Sequence, residues 1–332
     1  MKKTATFFVS LLFSINIFAQ KEIIDSLKEH RGNINLAYTA LYKENSAMSY
    51  TSPLGELGAP SGYVINGKLT TTYMVFGPRS LPVAFSINPD FTVRVRTDRS
   101  AGVRTPSFRL GGTFYARLTP NINRYRYVEL GFTHHSNGQD GDAVLPDGSI
   151  NTKTGNFNTN YLTMAYRFGN FTSPKPPSGI YYSYNHTIGF EWHKWFNYEP
   201  ALIGDYGFTR LNYDFSFRVY QTYTGKNGAW RKVNADQQLE KVSLEKETWR
   251  FNGVLSYAVN KLVNYNYFDP KKRLNAEVSA NYSLPFMQNV FVMASFGYYG
   301  EDPYNIYFKD KYAYMRFGLS STFSRYRIKN KY

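Results

Sequence analysis

The sequence predicts an all-β chain, a transmembrane antiparallel β-barrel of about 12 strands, on three observations. Aromatic residues reach 18%, with 30 Tyr, although the total hydrophobic content is an ordinary 42%. From about Asn33 onward, period-2 segments alternate with Pro, Gly, Asn and Asp clusters, the pattern of strands and turns. The chain also opens on an export signal. A membrane barrel hides its hydrophobicity by alternating apolar and polar side chains, and it needs aromatic girdles at both interfaces. The three observations agree.

The opening stretch places Lys2 and Lys3 ahead of an apolar run from Phe7 to Phe18, which ends at the small residue Ala19. This is the layout of a secretory signal peptide, expected over 1–20, with 21–332 as the barrel domain. The run is too short to anchor a helix in a bilayer, and no later stretch approaches ~18 uninterrupted apolar residues. A membrane-embedded form is therefore expected to be a barrel in the outer membrane. Residues 21–31 read as a short helical lead-in.

The strands follow in order. In Phe91-Thr-Val-Arg-Val-Arg96 the apolar row is Phe91, Val93 and Val95, with Thr92, Arg94 and Arg96 opposite. Over 109–118, Leu110, Phe114 and Leu118 share one face and Arg109, Thr113, Tyr115 and Arg117 the other. Over 312–323, Ala313, Met315, Phe317, Leu319 and Phe323 oppose Tyr314, Arg316, Ser320 and Thr322. Glu129, Arg94, Arg109, Arg167 and Arg316 fall on the inner face and are expected to fill a narrow lumen with ion pairs. The Pro-rich joins at Thr119 and over 173–178 are expected at the periplasmic end, and the polar stretches 137–156 and 222–247 at the extracellular end.

The formal net charge is +15 and falls by two when Lys2 and Lys3 leave. Export argues against nucleic acid as the partner, so anionic lipid headgroups are the expected neighbours. Cys is absent, which removes disulfides and thiol chemistry. No phosphate-binding loop, dinucleotide fingerprint or zinc signature occurs.

Chemistry concentrates in Tyr125–Ser136, YRYVELGFTHHS. Val128, Leu130, Phe132, His134 and Ser136 share one face, so two reactive side chains end a lipid-facing row, a costly placement unless they serve each other or a substrate. Two residues apart, their Cα atoms lie ~6.5–7 Å from each other on one side of the strand. An imidazole can lean across that gap to a serine hydroxyl as general base to nucleophile, and a third group must then hold its other nitrogen. In 157–168 the apolar row Leu162, Met164, Tyr166 and Phe168, extended backward, puts Asn158 on the same side. Gly138 can bring a backbone N–H to an oxyanion, with Asn137 adding a side-chain donor. His135 points inward by parity, and His186 and His193 lack carboxylates at ligand spacing. Taken singly, each of these residues suits an ordinary structural role, since Ser-Asn-Gly after a strand is also a turn signal. Their conjunction on one outward face points to acyl transfer.

These motifs resemble outer membrane phospholipase A. The resemblance rests on Gly131-Phe-Thr-His-His-Ser-Asn-Gly138, on Phe157-Asn-Thr-Asn-Tyr161, on Thr105-Pro-Ser-Phe-Arg-Leu110 and on Gly297-Tyr-Tyr-Gly-Glu-Asp-Pro-Tyr-Asn305 before a closing strand. It covers about 105–170 and 285–325. It implies a 12-stranded barrel that hydrolyses acyl esters of membrane glycerophospholipids at either glycerol position. Ser136 would be nucleophile, His134 base and Asn158 the orienting partner, with activity dependent on calcium and regulated by a homodimer. The loop after Gly138 is longer here than that family's, and Asp140 and Asp142 are its candidate oxygen ligands for a hard cation. Two rival readings differ in kind. A lipid A deacylase barrel would have about eight strands and a Glu as third member, and no Glu lies between Ser136 and Phe157. A non-enzymatic porin or structural barrel would have an open lumen and an accidental His-Ser-Asn set.

Overall fold

The computed structural model describes residues 24–97, 106–121, 123–170, 179–224, 231–233, 239–284, 287, 289–322 and 326–330. The expected signal peptide, the 173–178 join, Thr105 and Phe323 lie outside the described residues. The strands are β1 (Ser49–Ser52), β2 (Tyr63–Thr70), β3 (Tyr73–Phe76), β4 (Val83–Arg96) and β5 (Ser107–Arg117). Next come β6 (Arg124–Ser136), β7 (Thr159–Asn170), β8 (Ile180–Trp192), β9 (Thr209–Thr224) and β10 (Arg231–Val233). The chain ends with β11 (Leu239–Ala258), β12 (Leu274–Tyr282), β13 (Val290–Tyr299), β14 (Tyr312–Ser321) and β15 (Tyr326–Asn330).

Twelve of these strands close on themselves. The hydrogen-bonded order runs β11-β12-β13-β14-β1-β2-β4-β5-β6-β7-β8-β9, and β9 pairs back onto β11. Every pairing in this ring is antiparallel. The short β3, β10 and β15 hang on β4 and β11. Closure leaves no open edge within the twelve-strand ring, and an open edge is what hydrocarbon would not tolerate. No helix among the described residues is long and apolar enough to cross a membrane, which says nothing of strands.

The alternation read from the sequence holds strand by strand. Leu110, Phe114, Leu130, Phe132, Met164, Ile188, Phe296, Phe317 and Leu319 stand exposed on the outer wall. Tyr115, Tyr127, Arg94 and Arg316 are buried inside. A wall this apolar is stable only against an apolar solvent. Inside, Arg94 pairs with Asp302 (2.6 Å) and Glu56 (3.3 Å), Arg167 with Glu129 (2.5 Å), and Arg316 with Glu277 and Glu56. Arg109 donates instead to the Pro303 carbonyl at 2.9 Å.

The lumen is filled at both ends. At the end opposite the 137–158 loop, a helix (α1) over 24–44 enters it. The helix buries Ile34, Tyr38, Leu41 and Tyr42, a period-3.6 stripe, against Ala84, Tyr115, Tyr125 and Tyr127 of β4–β6. Each apolar side chain so buried contributes about 1.5–3 kcal/mol. The expected lead-in of 21–31 is thus too short. Residues 33–44 carry the helix, because their tyrosines meet the lumen's own tyrosines rather than forming a strand. At the other end, the loops 137–158, 193–208 and 300–311 fold inward and pack Phe157, Leu202, Tyr206, Phe208, Ile306 and Phe308 together. The 222–247 stretch corrects a second expectation. Since β9 descends from the 193–208 loop and β11 rises from the far end, the described residues 222–224 and 239–247 lie at the end opposite 137–158, as parts of β9 and β11.

Candidate active site

The site sits where β6 ends at the rim and the chain turns into its longest described loop. β6 presents Val128, Leu130, Phe132 and His134 outward, all exposed, with Ser136 half-exposed at the strand's last position. On one flank β5 places Leu110 beside His134 and Phe108 beside Ser136. On the other flank β7 places Asn160 directly opposite His134.

That register decides the third group. His134 Nδ1 and Asn160 Oδ1 are 2.8 Å apart, so the amide that meets the ring is that of Asn160 and not, as the sequence led one to expect, that of Asn158. Asn158 precedes the first residue of β7, and its Nδ2 donates to Asn156 Oδ1 at 2.9 Å. Both asparagines share the outward parity. Only the inter-strand register, which parity cannot supply, selects between them. The signal was present in the motif Phe157-Asn-Thr-Asn-Tyr161, whose second Asn is the one used.

With Nδ1 donating its proton to Asn160, His134 keeps the lone pair of Nε2 for a proton acceptor's role. Ser136 Oγ makes no hydrogen bond among the described residues and is not joined to His134 in this resting geometry.

Just past Ser136, Gly138 adopts φ +66°, a left-handed conformation that glycine enters without penalty. It is exposed, and its N–H has no protein acceptor among the described residues. This is what an oxyanion donor requires. Asn137 does not serve there. It is buried, its Nδ2 donates to the Gly155 carbonyl (2.8 Å), and its Oδ1 accepts from the Phe157 N–H (2.9 Å). Asn137 is instead the clasp that ties the two ends of the 138–156 loop and so fixes the backbone of Gly138.

The loop itself is ordered by short pairings. Gly141 bridges Gly155, and Val144 bridges Ile150. At its tip Ser149 donates through its hydroxyl and its N–H to Asp147, which holds that carboxyl below the usual range. Asp140 and Asp142 are both exposed, and Asp142 engages the loop only through its main-chain carbonyl, which accepts from Asn151. Calcium takes six to eight oxygens. Among the described residues no three His, Cys, Asp or Glu side chains gather to hold a metal. The two loop carboxylates do not by themselves make up such a shell.

Three other histidines have structural partners. His135, inward and buried, lies 2.8 Å from Ser107 Oγ through Nε2. His193 is fully buried between Thr159 Oγ1 (2.6 Å) and Glu191 Oε1 (2.7 Å). The sequence reading missed this carboxylate two residues away, although i and i+2 share a face of an extended chain. His186 faces outward and meets the Tyr213 hydroxyl at 2.8 Å.

No family model matches the sequence, and no curated protein sequence matches it significantly. Among solved structures, the outer membrane phospholipase A from Escherichia coli aligns over 87% of this chain and 98% of its own, with a TM-score of 0.48 and 10% identity. BamA from Haemophilus ducreyi lacking POTRA domains 1–3 aligns over 86% of this chain and 67% of its own, with a TM-score of 0.29 and 11% identity. Identities this low bear on the fold alone.

Proposed function

We propose that this barrel resides in an outer membrane and hydrolyses acyl esters of glycerophospholipids at its outer wall. The observation that carries the reading is the Asn160–His134 hydrogen bond (2.8 Å) on an outward, lipid-facing row that ends two residues later in Ser136. A polar pair on such a wall is costly unless it has a use. A membrane ester at rim depth supplies one.

In the proposed reaction Ser136 Oγ attacks the ester carbonyl while His134 Nε2 takes its proton. The carbonyl oxygen becomes an oxyanion that the Gly138 N–H meets, and Asn160 holds the ring as it becomes charged. Collapse breaks the C–O bond, and the departing lysophospholipid alkoxide takes the proton back from His134. Water, deprotonated by the same nitrogen, then attacks the acyl carbonyl; the C–O bond to Ser136 breaks, the fatty acid leaves, and Ser136 Oγ takes the proton back from His134. The plugged lumen sets this reading apart from an open pore, and Asn160 in place of a carboxylate sets it apart from a lipid A deacylase with a Glu.

The test is hydrolysis of phospholipid in mixed micelles by refolded protein, alongside covalent labelling of Ser136 by a fluorophosphonate. Fatty-acid release and labelling that both vanish in Ser136→Ala support the reading. Equal release by wild type and Ser136→Ala would refute it.

A further inference from the structure

The two ends of the Asn160 amide have nearly the same shape, yet only one arrangement serves His134. With the oxygen toward the ring, Nδ1 carries the proton and Nε2 offers a lone pair to Ser136. With the nitrogen toward it, Nδ1 must accept, Nε2 carries the proton, and the ring is no base for Ser136. The far end of the amide decides between them. It lies 2.9 Å from the main-chain carbonyl oxygen of Asn197. A carbonyl oxygen only accepts, so the group facing it is the NH2, and the group facing His134 is the oxygen.

Asn197 belongs to a strap, residues 193–199, that straddles the barrel rim. Its inner end is His193, buried, bonded to Thr159 and Glu191, and stacked on Tyr161 at 4.6 Å. Its last residues run against the start of β7: Tyr198 bridges Thr159, and the Glu199 N–H donates to the Asn158 carbonyl at 2.9 Å. Its outer corner is Trp195 and Phe196. Trp195 leans on Trp192 and is 75% exposed, while Phe196 sets its edge on Phe132 at 5.1 Å and 69°. Phe132 stands on the same outward row as His134, one place below it.

We propose that this strap positions the base. Phe196, seated on Phe132, holds the Asn197 carbonyl against Asn160 and thereby sets the tautomer of His134. The inference rests on the reading of His134 as the base for Ser136. Phe196 touches no reacting atom and is a positioning residue.

Phe196→Ala should lower kcat on phospholipid micelles about tenfold, since misplacing a positioning group costs on that order, and leave KM within about twofold. The decisive comparison uses an Asn160→Asp background. A carboxylate accepts at both ends and holds Nδ1–H without help from Asn197, so there Phe196→Ala should cost less than about twofold. Equal losses in both backgrounds would overturn the proposal, because a role in folding or substrate binding does not depend on residue 160.

Nitrogen-15 spectra of the histidine rings give a readout independent of turnover, with His134 assigned by difference against His134→Gln. The neutral ring should be protonated at Nδ1 in wild type and become a mixture of tautomers in Phe196→Ala. Wild type that shows this pattern but no lipase activity would sink the phospholipase reading and leave the strap's role standing. A pure Nδ1–H ring in Phe196→Ala would sink the strap's role whatever the activity.

Discussion

His134 and His135 are neighbours in sequence, and each lies near a serine, yet they belong to different regions of the molecule. His134 stands on the outer wall with Ser136 two residues along, its ring held by Asn160. His135 points into the packed lumen, and Ser107 hydrogen-bonds it directly at 2.8 Å. By contact alone, the inner pair is the better-formed one. It is nevertheless sealed, with His135 2% and Ser107 5% exposed, and no group orients its second nitrogen among the described residues. The difference teaches that access and orientation, rather than a single short contact, separate a site from a packing motif. Alternation on one strand is enough to place the two side by side.

The strongest way to break the comparison is to remove the outer pair. Ser136→Ala and His134→Ala should each lower phospholipid turnover on the order of 10⁴-fold or more, because nucleophile and base act as one unit. The double variant should be little worse than either single one. Thermal unfolding in detergent should match wild type, since neither side chain belongs to a packed core. Residual turnover near wild type in either variant would shift attention away from the outer wall.

The next effect sharpens the register. Asn160→Ala should lower kcat about 10–100-fold, as loss of a ring-orienting partner does. Asn158→Ala, whose side chain meets Asn156 alone among the described residues, should stay within about threefold of wild type, the scatter expected of a surface polar change. A reversed ranking would mean that the β6–β7 pairing in the active protein is slipped by two residues.

Asn137→Ala probes the clasp behind the site. It leaves the buried Gly155 carbonyl and Phe157 N–H without their partner, a loss of about 1–3 kcal/mol in stability. Turnover should fall as well, since Gly138 then loses the fixed backbone that aims its N–H. Stability and turnover falling together is the expected signature. Turnover lost with stability unchanged would restore Asn137 as a direct oxyanion donor.

Most of the barrel was legible because strand parity is a local property. Arg94 and Arg316 inside, and Leu110 and Phe317 outside, follow from alternation alone. What parity cannot give is register, which depends on how two strands slide, so Asn158 and Asn160 were indistinguishable until β6 paired with β7. The α1 helix was under-read for a related reason. Its stripe Tyr38, Leu41 and Tyr42 is amphipathic, but what it packs on, the inward tyrosines of β5 and β6, is assembled only in three dimensions. The sequence gives no hint that Gly155 and Phe157 return to occupy the Asn137 amide beside Ser136.

The smallest expected effect is the most discriminating for the opening comparison. Ser107→Ala removes the hydroxyl that meets His135 and keeps only Cβ, as a methyl group. One buried hydrogen bond is lost, and the unfolding free energy should fall by about 1–3 kcal/mol, because His135 Nε2 is left unsatisfied in a packed lumen. Phospholipid turnover should remain within about twofold, the margin of a change outside the reacting geometry. The physical ground is separation by the sheet itself: Ser107 and His135 face inward, Ser136 and His134 outward. If Ser107→Ala abolished turnover at unchanged stability, the inner pair would be the catalytic one. The lumen would then have to open to admit an ester past Phe157 and Tyr206, both buried in the plug.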